Sequence, residues 1–236
     1  MKKDPTRTKM LRISYSRMLI QRFTKFYKHV TPMLLQLYNY DLNSLNTQNY
    51  EEIIDQHLDI YVNNNLNYDI GRYTGQGYKR GKKNSIQKMK QNGITISPLL
   101  TPLDMETMNL IRDNNAALVK GLGFDVRKNI VRILNEGILQ GHGSGKTARN
   151  IRKTIPMTRN RSKTIARTEI IRGYNQAQIN QYKNAGLKHF QWLTAFDDRT
   201  CEDCAGLDGT IHPVDEGVRP PLHPNCRCTT IHYIKK

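Results

Sequence analysis

The residues able to do chemistry crowd into the C-terminal end of the chain. Cys201-Glu-Asp-Cys204 is followed, after a Pro-rich loop, by His223-Pro-Asn-Cys226-Arg-Cys228, and these two clusters hold all four cysteines of the protein. Two thiols spaced CxxC lie on one tight knuckle and can point at a single ion. The second cluster adds an imidazole and two more thiols. Zn²⁺ takes four N/S ligands in a tetrahedron, so the pattern predicts a structural zinc site. Five donors compete for four positions. Cys201 and Cys204 are the safest pair, and the other two come from His223, Cys226 and Cys228. A Cys-x-Cys chelate is strained, which favours His223 with one of the last two thiols. Disulfides are the competing use of these cysteines. The opening Met1-Lys-Lys-Asp-Pro contains no apolar signal sequence, so a reducing compartment is expected, where thiols stay free or bind metal.

Other patterns are weaker. Gln140-Gly-His-Gly-Ser-Gly-Lys-Thr147 imitates a phosphate-binding loop, but that motif needs glycine where Gln140 stands and a buried strand before it. A flexible turn with Ser144 capping a helix over 146–153 is expected instead. Arg167 and Glu169 lie on a long helix with no base or nucleophile nearby in sequence, so both read as structural, as does Trp192. A zinc deaminase would need Pro-Cys-x-x-Cys and an upstream His-x-Glu, whereas Thr200 precedes Cys201 and no His-x-Glu occurs. His212, His223 and His232 fall in no recognisable nuclease pairing. No catalytic residue is assigned.

The elements that position the donors read as α+β and mostly helical: long N-terminal helices, a further helical segment, then a small antiparallel β module bearing the zinc knuckle. Met10, Ile13, Met18, Ile20 and Phe23 recur near helical spacing, and Pro32 allows a fresh start before Leu34 and Tyr38. Ile53, Ile54, Leu58 and Tyr61 resume the pattern after an Asn-rich turn at 41–49. The glycines between 71 and 81 predict an interruption, and 93–98 a break with a domain boundary close to it. Met105, Met108 and Ile111 predict one helix, Leu118-Val119 a short piece ending at Gly121-Leu-Gly123, and Val126 to Ile138 another with Asp125 at its start. Thr164, Arg167, Ile171, Tyr174, Gln178 and Tyr182 mark a long helix closed by Gly186. Beyond it Phe190, Trp192, Thr194 and Phe196 alternate as a strand, Asp208-Gly209 turns into a second, and 228–234 forms a third. So small a sheet rarely holds itself together, and a metal tying its ends supplies what its core lacks.

The totals set the class of partner. The 236 residues carry a net charge of +17, with mean hydropathy −0.67, and no apolar run approaches the roughly 20 residues of a membrane helix. The charge lies in acid-poor blocks. Asp4 is the lone acid before Val30, none falls between Asp69 and Asp104, and none from Gly137 to Thr168. The last block holds Lys146, Arg149, Arg152, Lys153, Arg159, Arg161 and Lys163, which are assigned to polyanion binding. No aromatics interleave with them, so base-specific readout is not expected.

Taken together, Ala166-Arg-Thr-Glu169, Trp192, Asp198-Arg-Thr-Cys-Glu-Asp-Cys204, Leu207-Asp-Gly209 and Pro220-Pro-Leu-His-Pro-Asn-Cys-Arg-Cys228 resemble the phage head-morphogenesis family typified by the F protein of phage Mu. The resemblance covers Val126 onward. It implies a minor head (capsid) protein of a tailed bacteriophage or prophage, a structural assembly part and not an enzyme. Its partners would be the phage portal protein, capsid or scaffold proteins, and phage DNA by non-specific contacts, with no membrane. Its place would be the virion, inside the head near the portal, after assembly in the bacterial host cytoplasm. The implied metal residues are Cys201, Cys204, His223, Cys226 and Cys228. The expected division is a basic helical region over 1–97 for portal or partner binding and a head-morphogenesis domain over 98–236, with its metal-binding module at 187–236. The rival reading is a zinc-dependent DNA-binding protein or nuclease.

Overall fold

Apolar residues at helical spacing do make helices here, and longer ones than the local breakers suggest. The computed structural model describes residues 5–44, 50–195, 197 and 199–234. Within them α1 spans Lys9–Ser44, α2 Tyr50–Leu58, α3 Leu66–Gln91, α4 Pro102–Leu139, α5 Ser144–Asn184 and α6 Glu202–Gly206, with a π-helical turn at Asp59–Asn63. The strands are β1 His189–Leu193, β2 Ile211–Pro213 and β3 Thr229–Tyr233. Of the Asn-rich turn expected at 41–49, residues 41–44 are instead the last turn of α1, and 45–49 lie outside the described residues, as do Phe196 and Asp198.

Four local readings are corrected by packing. Pro32 lies inside α1, with no restart. Losing its N–H costs about 3 kcal/mol, but Val30, Leu34 and Tyr38 are fully buried along one stripe, and each such side chain contributes about 2 kcal/mol. Glycines 71 to 81 do not interrupt α3, and at Gly77 and Gly81 another backbone comes close. A Cβ on Gly81 would stand 2.1 Å from the Tyr174 carbonyl oxygen, and one on Gly77 3.3 Å from that of Ile170. α4 passes straight through Gly121 and Gly123, so Asp125 lies in its interior. α5 begins at Ser144, and the Gly143 carbonyl receives the Lys146 and Thr147 N–H groups, so Ser144 is the first helical residue and not the cap.

The chain packs as two units: Met1–Tyr15, Asn67–Asn115 and Thr164–Lys236 form one, Ser16–Leu66 and Ala116–Lys163 the other. In the second unit Tyr27 shares hydrogen bonds with Thr154 at 2.9 Å and Thr158 at 3.1 Å, and Tyr38 donates to the His142 carbonyl at 2.6 Å. These aromatics tie α1 to α5 and to the loop before it.

In the first unit a buried polar knot joins α3, α4 and α5. Lys82 meets Asp104 at 2.6 Å, Tyr78 donates to Asp104 at 2.6 Å, and Asn180 donates to Tyr78 at 2.7 Å. Lys82 is therefore withdrawn from the basic surface its sequence block suggests. α5 closes as expected: Gly186 has φ +70°, its N–H bonds Lys183, and the Leu187 N–H reaches back to Tyr182, a Schellman ending. β1 then enters the centre of an antiparallel sheet of order β2-β1-β3, pairing Phe190 with His232 and His212, and Trp192 with Thr230. Phe190 packs with Met89, Ile179, Tyr182 and Val214, which seats the sheet on α3 and α5.

Candidate metal centre

The knuckle grows from β1. Past Leu193 the chain turns through Thr194 and Asp197 into α6, whose first turn places Cys201 and Cys204 on one side, with the Ala205 N–H on the Cys201 carbonyl at 2.9 Å. The loop after β2 brings His223 and Cys226 back against them. Nε2 of His223 lies 3.2 Å from each of the Cys201 and Cys204 sulfurs, and the Cys204 and Cys226 sulfurs are 3.8 Å apart. Two sets of three donors lie within 4.8 Å of one another: Cys201, Cys204 and His223, and Cys204, Cys226 and Cys228. Cys204 belongs to both.

These donors fit a tetrahedral ion. Metal–sulfur bonds of about 2.3 Å put neighbouring sulfurs about 3.8 Å apart, the separation of Cys204 and Cys226, and far beyond a disulfide. All four cysteines are free thiols. The imidazole is prepared for coordination. A carbonyl only accepts, so Nδ1 of His223 donates to Pro224 at 2.8 Å, leaving the Nε2 lone pair facing the sulfurs. That same carbonyl raises the histidine's pKa. Burial pushes the Cys204 thiol up to about 12, whereas the hydrogen bond with Cys228 holds Cys226 down at about 5. Trp192, fully buried, packs on Cys204, Cys226 and Cys228 and forms the floor of the centre.

Each remaining residue of the second cluster locks the loop in place. Asn225 adopts φ +66°, a conformation asparagine tolerates better than most residues. Its N–H bonds Thr168 at 3.0 Å, its amide donates to Thr164 at 3.2 Å, and its side-chain oxygen accepts from Arg167 at 3.3 Å. Arg227 grips the Asp197 carboxylate with both terminal nitrogens, which, with Arg199, holds that carboxyl well below the usual range. Asn175 donates to the Cys228 carbonyl at 3.1 Å, and Thr229 bonds Asn175 and Gln178.

The sequence motifs on α5 and on the loop are thus one contact. Arg167 is half-buried and meets Asn225. Glu169 is not a solvent residue: it is buried, its partner is Arg172 at 3.1 Å, and burial raises its pKa. Asn225, Asp197, Asn175 and Gln178 escape a reading of donors alone. Only Asn225 carried a sequence signal, an asparagine wedged between proline and cysteine. The seven cations assigned to polyanions are all exposed, on the stretch of α5 before Thr164. Arg161 is paired with Asp125, and Lys146 lies 2.6 Å from Nε2 of His142.

What the fold defines is a helical protein ending in a Cys/His knuckle on a three-stranded sheet. Residues 128–231, less than half of the chain but including all five donors, match the family model described as Phage Mu protein F like protein. The resemblance read from the two motif clusters is thereby borne out. The chain is 24% identical over 199 residues to "Minor head protein GP7" of Bacillus phage SPP1, covering 76% of this chain and 59% of that protein. It is 26% identical over 156 residues to an uncharacterized protein of Haemophilus influenzae, covering 62% and 34%. The chain thus spans less than two thirds of either relative. No solved structure matches it.

Proposed function

We propose that this chain is a minor head protein of a tailed bacteriophage or prophage, a structural part that is built into the virion and turns over no substrate. The observation that carries the reading is the family match over 128–231, which coincides with the knuckle and with the α5 face that grips it. The likeness to a minor head protein of phage SPP1 supports it. On this reading Zn²⁺ is the ion at the knuckle: thiolates and a neutral imidazole are its preferred donors, and it ties the CxxC turn to the returning loop. The ion's part is to hold the module's shape, and the 187–236 module is a rigid head on the domain over 98–236. The basic helices of 1–97 and the seven exposed cations of α5 are surfaces for the portal, for capsid or scaffold proteins, or for packaged DNA. Among the described residues no helix is long and apolar enough to cross a membrane.

The test is co-expression with the portal protein of the same phage, followed by isolation of portal rings and of assembled heads. Retention on the ring and presence in heads are expected, and a chain missing from purified heads sinks the proposal. Duplex DNA added at graded salt identifies what the cations meet. Release that steepens with salt points to phosphates, and indifference to DNA assigns the α5 face to protein.

A further inference from the structure

α4 is apolar on two faces, and the fold uses one of them. Its inner stripe, Ile111, Val119, Leu122, Val126, Ile130 and Leu134, is buried. On the opposite side Leu103, Leu110, Ala117, Phe124 and Val131 recur at seven-residue steps along the same continuous helix. Leu103 keeps 42% of its surface exposed, Leu110 59% and Phe124 53%, while Ala117 is exposed and Val131 half-buried. A seven-residue step drifts by only about 20° around a helix, so these residues form one line about 42 Å long. Arg127 lies over the Phe124 ring at 4.8 Å and edges the line without covering it. In a coiled coil, a line of this kind is what a second helix covers.

We propose that the second helix is α4 of another copy of this chain, laid antiparallel about a two-fold axis at Ala117. The charges beside the line select that occupant. Its N-terminal half carries the exposed acids Glu106 and Asp113, and its C-terminal half the exposed bases Lys120 and Lys128. A parallel pair sets acid on acid and base on base. An antiparallel pair sets Glu106 of each copy beside Lys128 of the other, and Asp113 beside Lys120. Asp113 holds Arg112 of its own helix at 2.8 Å through Oδ1, which leaves Oδ2 for the lysine.

The apolar line matches itself in the same register. Ala117 lies midway between Leu110 and Phe124, and midway between Leu103 and Val131. Across the axis Leu110 therefore meets Phe124, and Leu103 meets Val131. At the centre Ala117 meets its own copy. Gly121, one turn on, has nothing within 4 Å of where a side chain would stand, so the two axes can close to about 8 Å. Such a contact is isologous and stops at two copies. It goes beyond the virion reading and needs nothing from the metal centre.

Sedimentation equilibrium of the reduced full chain is the first test. The mass should rise with concentration from 27.3 kDa toward twice that value. A mass that stays at the monomer's up to about 100 μM overturns the proposal. Charge reversal then tests the register. Glu106→Lys with Asp113→Lys makes the whole line basic and should weaken pairing about tenfold or more, with the helical signal unchanged. Adding Lys120→Glu and Lys128→Glu to that chain restores the antiparallel match and should restore the dimer. This fourfold variant should not pair with the unaltered chain, because their charges clash when the helices run antiparallel. Mixed dimers formed in preference to either self-pair would mean a parallel arrangement, and a fourfold variant that stays monomeric would mean that α4 is not the contact. Either result overturns the proposal.

Discussion

Asn225 contributes no ligand, yet it is the residue on which the donor loop's seating depends most. It supplies a positive φ and three hydrogen bonds to α5. Asn225→Ala loses both side-chain bonds and keeps a strained backbone, so it should cost about 2 kcal/mol in urea denaturation. Asn225→Gly loses the same bonds without the strain and should cost about 1 kcal/mol. Equal costs would show that the backbone conformation carries no strain. Glu169 makes a different prediction. Burial raises its pKa in the fold, against the opposing pull of Arg172. The folded state therefore holds the proton more tightly than the unfolded chain. The side chain's contribution to stability is greatest in acid and declines as pH climbs from the ordinary carboxylate range through the raised value. Glu169→Gln removes that decline, so its melting temperature should gain on the parent's between about pH 4 and about pH 7. A variant that instead loses ground as pH rises would mean the Arg172 pair outweighs burial. At this scale the donors were legible from spacing alone. The locks around them were not, since Asp197, Asn175 and Gln178 gain their meaning only from what folds against them.

At the scale of elements, the strands and the end of α5 were legible because their signals are local: alternation at Phe190, Trp192 and Thr194, and a glycine placed to close a helix. The long helices were not. Glycine weakens a helix in isolation, but it also lets two backbones approach, and sequence cannot say which of the two a given glycine serves. Gly81 and Gly121 separate these uses. A methyl on Gly81 meets the Tyr174 carbonyl at 2.1 Å, carbon and oxygen of a backbone that cannot yield without parting α3 from α5. Gly81→Ala should cost about 3 kcal/mol despite alanine's better helix propensity. Gly121, also within a helix, has nothing within 4 Å of that position, so Gly121→Ala should stabilise by up to about 1 kcal/mol. Chemical denaturation of both variants measures the contrast, and a costly Gly121→Ala would count against the helix through that point. Lys82 teaches the same lesson for charge: it lies in the acid-free stretch between Asp69 and Asp104, yet it is buried on Asp104 itself.

For the whole molecule, the question is how much of the fold would lean on an ion held at the knuckle. The long helices bury their own stripes and need nothing from the knuckle, and the inner end of the sheet is held by Phe190 against Met89, Ile179 and Tyr182. Among the described residues the apolar packing of the outer end is the Trp192 floor with the thiols and Leu207 on it, beside the hydrogen bonds that anchor Asn225, Cys228 and Thr229 to α5. Removing the ion with a strong chelator should therefore leave the far-ultraviolet helical signal nearly unchanged while Trp192, the one tryptophan of the chain, moves to longer-wavelength emission as water reaches it. The stability lost follows mass action: with free zinc at about 1,000 times the dissociation constant, its removal takes away about 4 kcal/mol, and restoring zinc returns it. Reductant alone should do nothing, because no disulfide is there to break. A fully stripped protein whose tryptophan emission and melting are both unchanged would show that the thiols hold the sheet by packing alone, and that the donors' convergence serves no ion.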